Sequence, residues 1–246
     1  MLCALEVKTC YSILSSLNRI DILTKKAKEM GYSSLAITDL NNMFGVYEFY
    51  LACLNNDIKP IIGMEVKTNQ DNFILIAKNN NGYRNLIKIA TIISDREITF
   101  DDLKIYSKDI ILIIPYSSYN EKITNFFDEY YIGYTSVEER DKVKDKGVLI
   151  TDISYIEKND YKYLDYLLMI KDDKKLGEME LNTYAGKHLL DKEEFNRDNK
   201  NRRVITGIVS DDSDNPIIGA TVRIKGTDKA VFTDFDGKFE IEVDGN

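Results

Sequence analysis

The sequence predicts an α/β protein, a barrel of alternating strands and helices followed by a small antiparallel β module. Three observations predict it. Short apolar runs alternate with amphipathic segments from the N-terminus to about residue 170. One of these runs, residues 110–114 (IILII), is continuously aliphatic and ends at Pro115, the pattern of a strand buried on both faces. From Val204 onward the apolar period becomes two. Strands that alternate with helices build βα units around a mostly parallel sheet, and about seven such units point to a closed barrel.

The elements follow in order. Residues 2–7 read as a strand, and residues 20–30 as a helix that sets Ile20, Leu23, Ala27 and Met30 at helical spacing before Gly31 stops it. A short buried strand at 35–38 precedes a helix at 46–54 and a strand at 59–66 (KPIIGMEV). A strand at 73–77 leads into a helix at 82–94, with Leu86, Ile87 and Ala90 facing inward. After 110–114, strands at 131–134 and 148–150 flank a charged helix at 137–146, and 161–170 reads as a helix. Tyr161, Tyr163 and Tyr166 at helical spacing are expected to pack under their polar tips.

Residues 1–190 thus form one domain. The segment 191–203 (DKEEFNRDNKNRR) is almost wholly polar and reads as a charged linker. Residues 204–246 carry three alternating runs with turn residues at 211–216 and 226–228 between them and at 236–237 within the last, an antiparallel module unlike anything before it.

Composition excludes several classes. The chain has 246 residues, 33 Lys+Arg against 41 Asp+Glu, and a net charge of -8, so nonspecific electrostatics give no reason to bind nucleic acid directly. A hydrophobic share of 43% supports a buried core, and no apolar run approaches the ~18–20 residues of a membrane span. Cys3, Cys10 and Cys53 are scattered, which fits a reducing, cytoplasmic setting. The single histidine, His188, lies in a polar loop and reads as incidental. One histidine cannot build a His-rich metal cluster or support a His-based triad.

The informative positions are strand ends, where a barrel of this kind places its functional groups. Asp39 closes the second strand, Glu65 the third, and Asp152 follows the last. Glu6 and Lys8 share one face of the first strand, because side chains alternate with period two. If these five converge, their carboxylates offer oxygen donors to a hard cation, although acidic residues also follow strands as caps and turn formers.

LEVKTCYSILSSLNRI, AKEMGYSSLAITDLNNMFGVYEFYLACLNNDIKPIIGMEV, AKNNNGYRNLIKIAT and TDISYIEKNDYKYLDYLLMIK together resemble the PHP (polymerase and histidinol phosphatase) domain of bacterial DNA polymerase III alpha subunits, over about residues 1–195. The resemblance implies a distorted (β/α)7 barrel. Active members of that family hold two or three metal ions with His, Asp and Glu and hydrolyse phosphoesters. Here the first His-x-His becomes Glu6-x-Lys8, and the acidic residue of the following turn becomes Ser15. The family His positions become Leu40 and Asn72, and the last Asp-x-His becomes Asp152-x-Ser154. Only Asp39, Glu65 and Asp152 keep the family residue.

The expectation is therefore a vestigial cluster of Glu6, Lys8, Asp39, Glu65 and Asp152, with no catalytic residue, no cofactor and Lys8 in place of the missing cations. The implied function is a non-catalytic scaffold in DNA replication. Its implied partners are the polymerase core and, in some members, the proofreading exonuclease. The alternatives are a residual phosphoesterase with weakly bound Mg or Mn on Glu6, Asp39, Glu65 and Asp152, and a β-module interaction protein on an inert barrel. The segment VITGIVSDDSDNPIIGATVRIKGTDKAVFTDFDGKFEIEV resembles a partial carboxypeptidase-regulatory-like β-sandwich of the kind that precedes TonB-dependent receptors, which makes a truncated or hybrid chain the simplest expectation.

Overall fold

The structure is a computed structural model that describes residues 2–68, 71–175, 185–199, 202–211, 215–225 and 230–244. It divides into two compact units, Met1–Asp198 and Asn199–Asn246. The first unit runs β1 (Leu2–Ala4), α1 (Ile20–Glu29), β2 (Tyr32–Ile37), α2 (Val46–Asn55), β3 (Lys59–Lys67), β4 (Asn72–Ala77), α3 (Asn80–Asp95) and α4 (Phe100–Tyr106). It continues with β5 (Ile110–Pro115), α5 (Glu121–Thr124), β6 (Glu129–Tyr134), α6 (Val137–Val143), β7 (Gly147–Leu149), α7 (Tyr161–Lys171) and α8 (Lys192–Asn199).

Seven strands form one sheet in chain order, β1 to β7. Pairing is parallel except at β4, which runs antiparallel to both β3 and β5. The connection from Lys67 to Asn72 is too short for a helical crossover, so β4 must return as a hairpin. The sheet curls until its edges meet. Val7 bridges Ile153 in parallel, with Lys8 N–H donating to Ile153 O at 3.0 Å and Ile153 N–H to Glu6 O at 3.0 Å. On its other side Val7 O accepts from Thr38 N–H at 2.8 Å. This is the expected distorted barrel, closed at Glu6–Lys8.

Strand alternation sorts the side chains. Phe73 and Leu75 of β4 and Ile110, Leu112 and Ile114 of β5 pack outward beneath α3 and α4. Ile74, Ile76 and Ile113 fill the barrel with Ile150. Met64 and Val66 belong to the outer layer, so Glu65 between them points inward. Val7 and Ile153 also pack in an outer layer, under α1 and α2, which turns Glu6, Lys8 and Asp152 toward the barrel mouth.

Four features depart from the sequence expectations. Helix α4 was not anticipated; its capping box joins Thr99 to Asp102, which Arg96 grips with two 2.7 Å bonds. The predicted linker carries helix α8, because Asp191 Oδ1 caps it by accepting from Glu193 and Glu194 N–H, and Phe195 packs on the core. His188 is buried in place of being incidental, with Nε2 3.0 Å from Glu194 Oε2 on that helix. On α7 the inward face is Leu164, Asp165 and Met169, whereas Tyr163 and Tyr166 are exposed.

In the second unit, β8 (Arg202–Ile208) pairs antiparallel with β11 (Lys238–Asp244), and β9 (Thr221–Arg223) with β10 (Ala230–Phe232). Two antiparallel pairs match the expected module; the predicted turn at 226–228 lies outside the described residues. Ile241 is buried but Phe232 is 72% exposed, so its apolar surface is only partly covered.

Gly63 lets β3 lie close against β4. A Cβ there would sit 2.6 Å from Leu75 O and 2.6 Å from Ile76 Cδ1. Gly63→Ala is expected to cost about 1–3 kcal/mol through overpacking, read as a lower urea midpoint, and to displace Glu65 two residues on.

Candidate functional site

The barrel mouth gathers Lys8, Glu65 and Asp152 from the first, third and last strand segments. Lys8 Nζ lies 2.6 Å from Asp152 Oδ1 and 2.7 Å from Glu65 Oε2. The bond to Asp152 is a directed hydrogen bond. The contact with Glu65 is an ion pair only, since no donor is aligned on Glu65 Oε2. Lys8 and Glu65 are 6% and 3% exposed, so this charge pair is withdrawn from water. Ser154 Oγ donates to Asp152 Oδ1 at 2.8 Å.

Asp152 has a second cation. Lys187 Nζ pairs with Asp152 Oδ2, from the segment after the 176–184 stretch. Sequence reasoning missed Lys187 because its neighbours YAGKHLL read as a polar loop. No local pattern signals it: only the tertiary bridge between His188 and Tyr155 sets this segment beside the last strand.

Glu6 and Asp39 differ from this cluster. Glu6 is buried in the field of Lys8, Asp152, Glu65 and Lys187. Burial pushes its carboxyl up to about 8, with Lys8 pulling against that shift and the two carboxylates adding to it. It is therefore protonated at neutral pH. Asp39, fully buried, is turned into the 9–12 turn. It accepts from Thr9 N–H at 2.6 Å, Thr9 Oγ1 at 2.7 Å and Ser12 Oγ at 2.6 Å. Burial raises its carboxyl and these bonds lower it in part. Asp39 pins the turn after the first strand; it does not join Glu65 and Asp152 around Lys8.

The ammonium group fixes the local electrostatics. Burial pushes Lys8 down, yet Glu65 and Asp152 outweigh it and hold its ammonium well above the usual lysine range. Burial pushes Asp152 up, and Lys8 with Lys187 outweighs that, holding it well below the usual carboxylate range.

The metal ions implied by the family resemblance do not fit these residues. Lys8 Nζ occupies the space between Glu65 and Asp152, where its charge repels a second cation. Leu40, bridged to Glu65 through the backbone, offers no donor. Among the described residues no three His, Cys, Asp or Glu side chains converge as a metal site. What remains is a polar cavity of about 420 Å³ whose wall includes Ser15, Leu40, Asn72 and Lys171.

Comparisons place this geometry in context. The PHP domain model matches residues 4–183. A DNA polymerase III subunit alpha of Staphylococcus epidermidis is 30% identical over 217 residues, 84% of this chain and 20% of that protein. One from Streptococcus pyogenes is 32% identical over 185 residues, 72% of this chain and 18% of that protein. One from Halalkalibacterium halodurans is 40% identical over 123 residues, 46% of this chain and 11% of that protein. The chain thus spans about a fifth or less of the length of these relatives.

Two outcomes follow for the cluster. Lys8→Ala leaves the buried Glu65 without its cation, while Asp152 keeps Lys187, and is expected to cost about 3–5 kcal/mol, seen as a markedly lower Tm. Glu6 carries its proton up to about pH 8 when folded but ionises near its ordinary 4.5 when unfolded. Its contribution is complete below 4.5 and is lost as pH rises through about 8. In urea titrations across that window, Glu6→Gln should flatten the decline and exceed the parent in stability at pH 8.

Proposed function

The chain belongs to the PHP-domain family, and from that membership we propose that it is a non-catalytic structural domain of the kind found in replicative DNA polymerase III alpha subunits. The observation that carries this reading is Lys8 Nζ, 2.6 Å from Asp152 and 2.7 Å from Glu65. A hydrolytic site of this family needs cations among its carboxylates, and here a covalently tethered ammonium has that place. An ammonium on a side chain supplies charge balance but cannot present an ionised water as nucleophile, which is what a bound metal contributes.

The similarity to polymerase subunits supports a role in DNA replication, with partners in a replication assembly; the polymerase core is the first of these and the proofreading exonuclease the second. Among the described residues no helix is long and apolar enough to cross a membrane, which accords with the cytoplasmic setting proposed. The two antiparallel pairs of the 199–246 unit support its reading as a partial carboxypeptidase-regulatory-like sandwich.

The test is direct. Titration with Mn²⁺ and Zn²⁺ by calorimetry should give no tight binding, and a chromogenic phosphodiester should show no turnover above buffer. Tight metal binding with turnover abolished by Glu65→Ala would make the chain a phosphoesterase.

A further inference from the structure

Lys187 reaches Asp152 from a stretch of chain that runs from the barrel mouth to α8. Residues 186–191 carry no helix or strand, yet they are tied down along their length. Ser154 N–H donates to Lys187 O at 2.8 Å, and Leu189 N–H to Tyr155 O at 3.1 Å. Lys187 N–H donates to Tyr155 Oη at 3.1 Å, and Tyr32 Oη–H to Leu190 O at 2.9 Å. Leu189 and Leu190 are buried, and the His188 ring stacks on Tyr155 with centroids 6.3 Å apart.

One carboxylate fastens the far end of this stretch. Glu194 on α8 places Oε2 3.0 Å from His188 Nε2, and the same oxygen accepts from Asp191 N–H at 3.2 Å. Its Oε1 pairs with Lys158 Nζ at 2.6 Å. Glu194 thus joins α8 to His188 and to the short turn before α7. Burial pushes its carboxyl up, and the bonds from Lys158, His188 and Asp191 outweigh that, pulling it down to about 2. The carboxylate is therefore ionised at neutral pH.

Helix α8 depends on this attachment. It has eight residues, and isolated helices shorter than about 12–15 residues are marginal in water. Its sequence KEEFNRDN offers one apolar anchor, Phe195, which packs on the core. Helix formation and docking are then a single event. The stretch before it has the complementary need, since His188, held by Glu194, directly follows Lys187.

We propose that residues 186–198 form a strap that closes and opens as one unit, with Glu194 the positioning residue that sets Lys187 on Asp152 through His188. Closed, the strap brings a second cation to the barrel mouth and walls its polar cavity with Lys187. Open, it withdraws that cation, leaves Asp152 to Lys8 and widens the entrance to the cavity. Segments with few apolar anchors open ahead of the domain as a whole, and the strap rests on Leu189, Leu190 and Phe195. This device goes beyond the scaffold reading and does not depend on it.

The test combines hydrogen exchange with acetylation by acetic anhydride, both read by mass spectrometry on the full chain at pH 7. The parent should acetylate Lys187 more slowly than Lys162, an exposed lysine of α7. Glu194→Gln should speed exchange across 186–196 at least tenfold and bring Lys187 acetylation to within about twofold of Lys162. Exchange in β4 and β5 should keep the parent rate, which separates strap opening from a loss of global stability. Lys187→Met should in turn speed exchange in α8, because coupling between two sites is reciprocal. Lys158→Met, at an exposed side chain, removes one partner of Glu194 and should give the same ordering with smaller changes if Glu194→Gln lowers Tm. Four results would each overturn the proposal. They are parent acetylation equal at Lys187 and Lys162, faster exchange confined to α8 with Lys187 acetylation unchanged, exchange rising equally in β4 and β5, and an α8 indifferent to Lys187→Met.

Discussion

One buried contact organises the barrel mouth: the Lys8 ammonium between Glu65 and Asp152. Two carboxylates brought this close, one buried and one partly buried, repel each other unless a cation sits between them. A family that binds metals meets this demand with ions from solution. Here the chain carries its own. Lys8 and Lys187 balance Glu65 and Asp152, and Glu6 completes the set as a neutral acid, so the cluster is close to charge-neutral without any exogenous ion. The neutrality is local, for the chain as a whole remains acidic.

Lys8 reaches that position because the barrel closes on it. Val7 is shared between Thr38 on one side and Ile153 on the other, and this double engagement turns Lys8 inward between the third strand and the last. The turn that follows is held as tightly. Asn18 Nδ2 and Ser16 Oγ both donate to Lys8 O at 2.8 Å, and Asp39 gathers Thr9 and Ser12. The first strand and its turn are fixed here by backbone, amide and hydroxyl hydrogen bonds. Lys8 is thus held through its backbone on both sides of the turn.

Much of this was legible in the sequence, for physical reasons that differ by element. Strand alternation around Met64, Glu65 and Val66, and around Val7 and Lys8, is enough to aim the charged residues inward. The pairing of Lys8 with Glu65 and Asp152 follows once a barrel is assumed. Lys187 was not legible, because it reaches Asp152 through a tertiary bridge between Tyr155 and His188 that leaves no local pattern. Asp39 misled for the opposite reason: its place at a strand end matched the cluster, yet Thr9 and Ser12 nearby offered three donors. Helix α8 was hidden by its charge, since a cap at Asp191 and one apolar anchor, Phe195, sufficed to form it. Helix α2 shows in the sequence as an apolar run broken by Glu48, and only the exposure of each residue separates the face that serves the core from the face that does not.

The ammonium of Lys8 and the carboxylate of Glu65 depend on each other. A double-mutant cycle with Lys8→Met and Glu65→Gln, read by urea denaturation at pH 7, measures that dependence directly. Mutual compensation predicts that the double variant is more stable than the sum of the single losses implies, with a coupling of about 1–3 kcal/mol. Losses that add to within about 0.5 kcal/mol would show two independent charges and contradict the account.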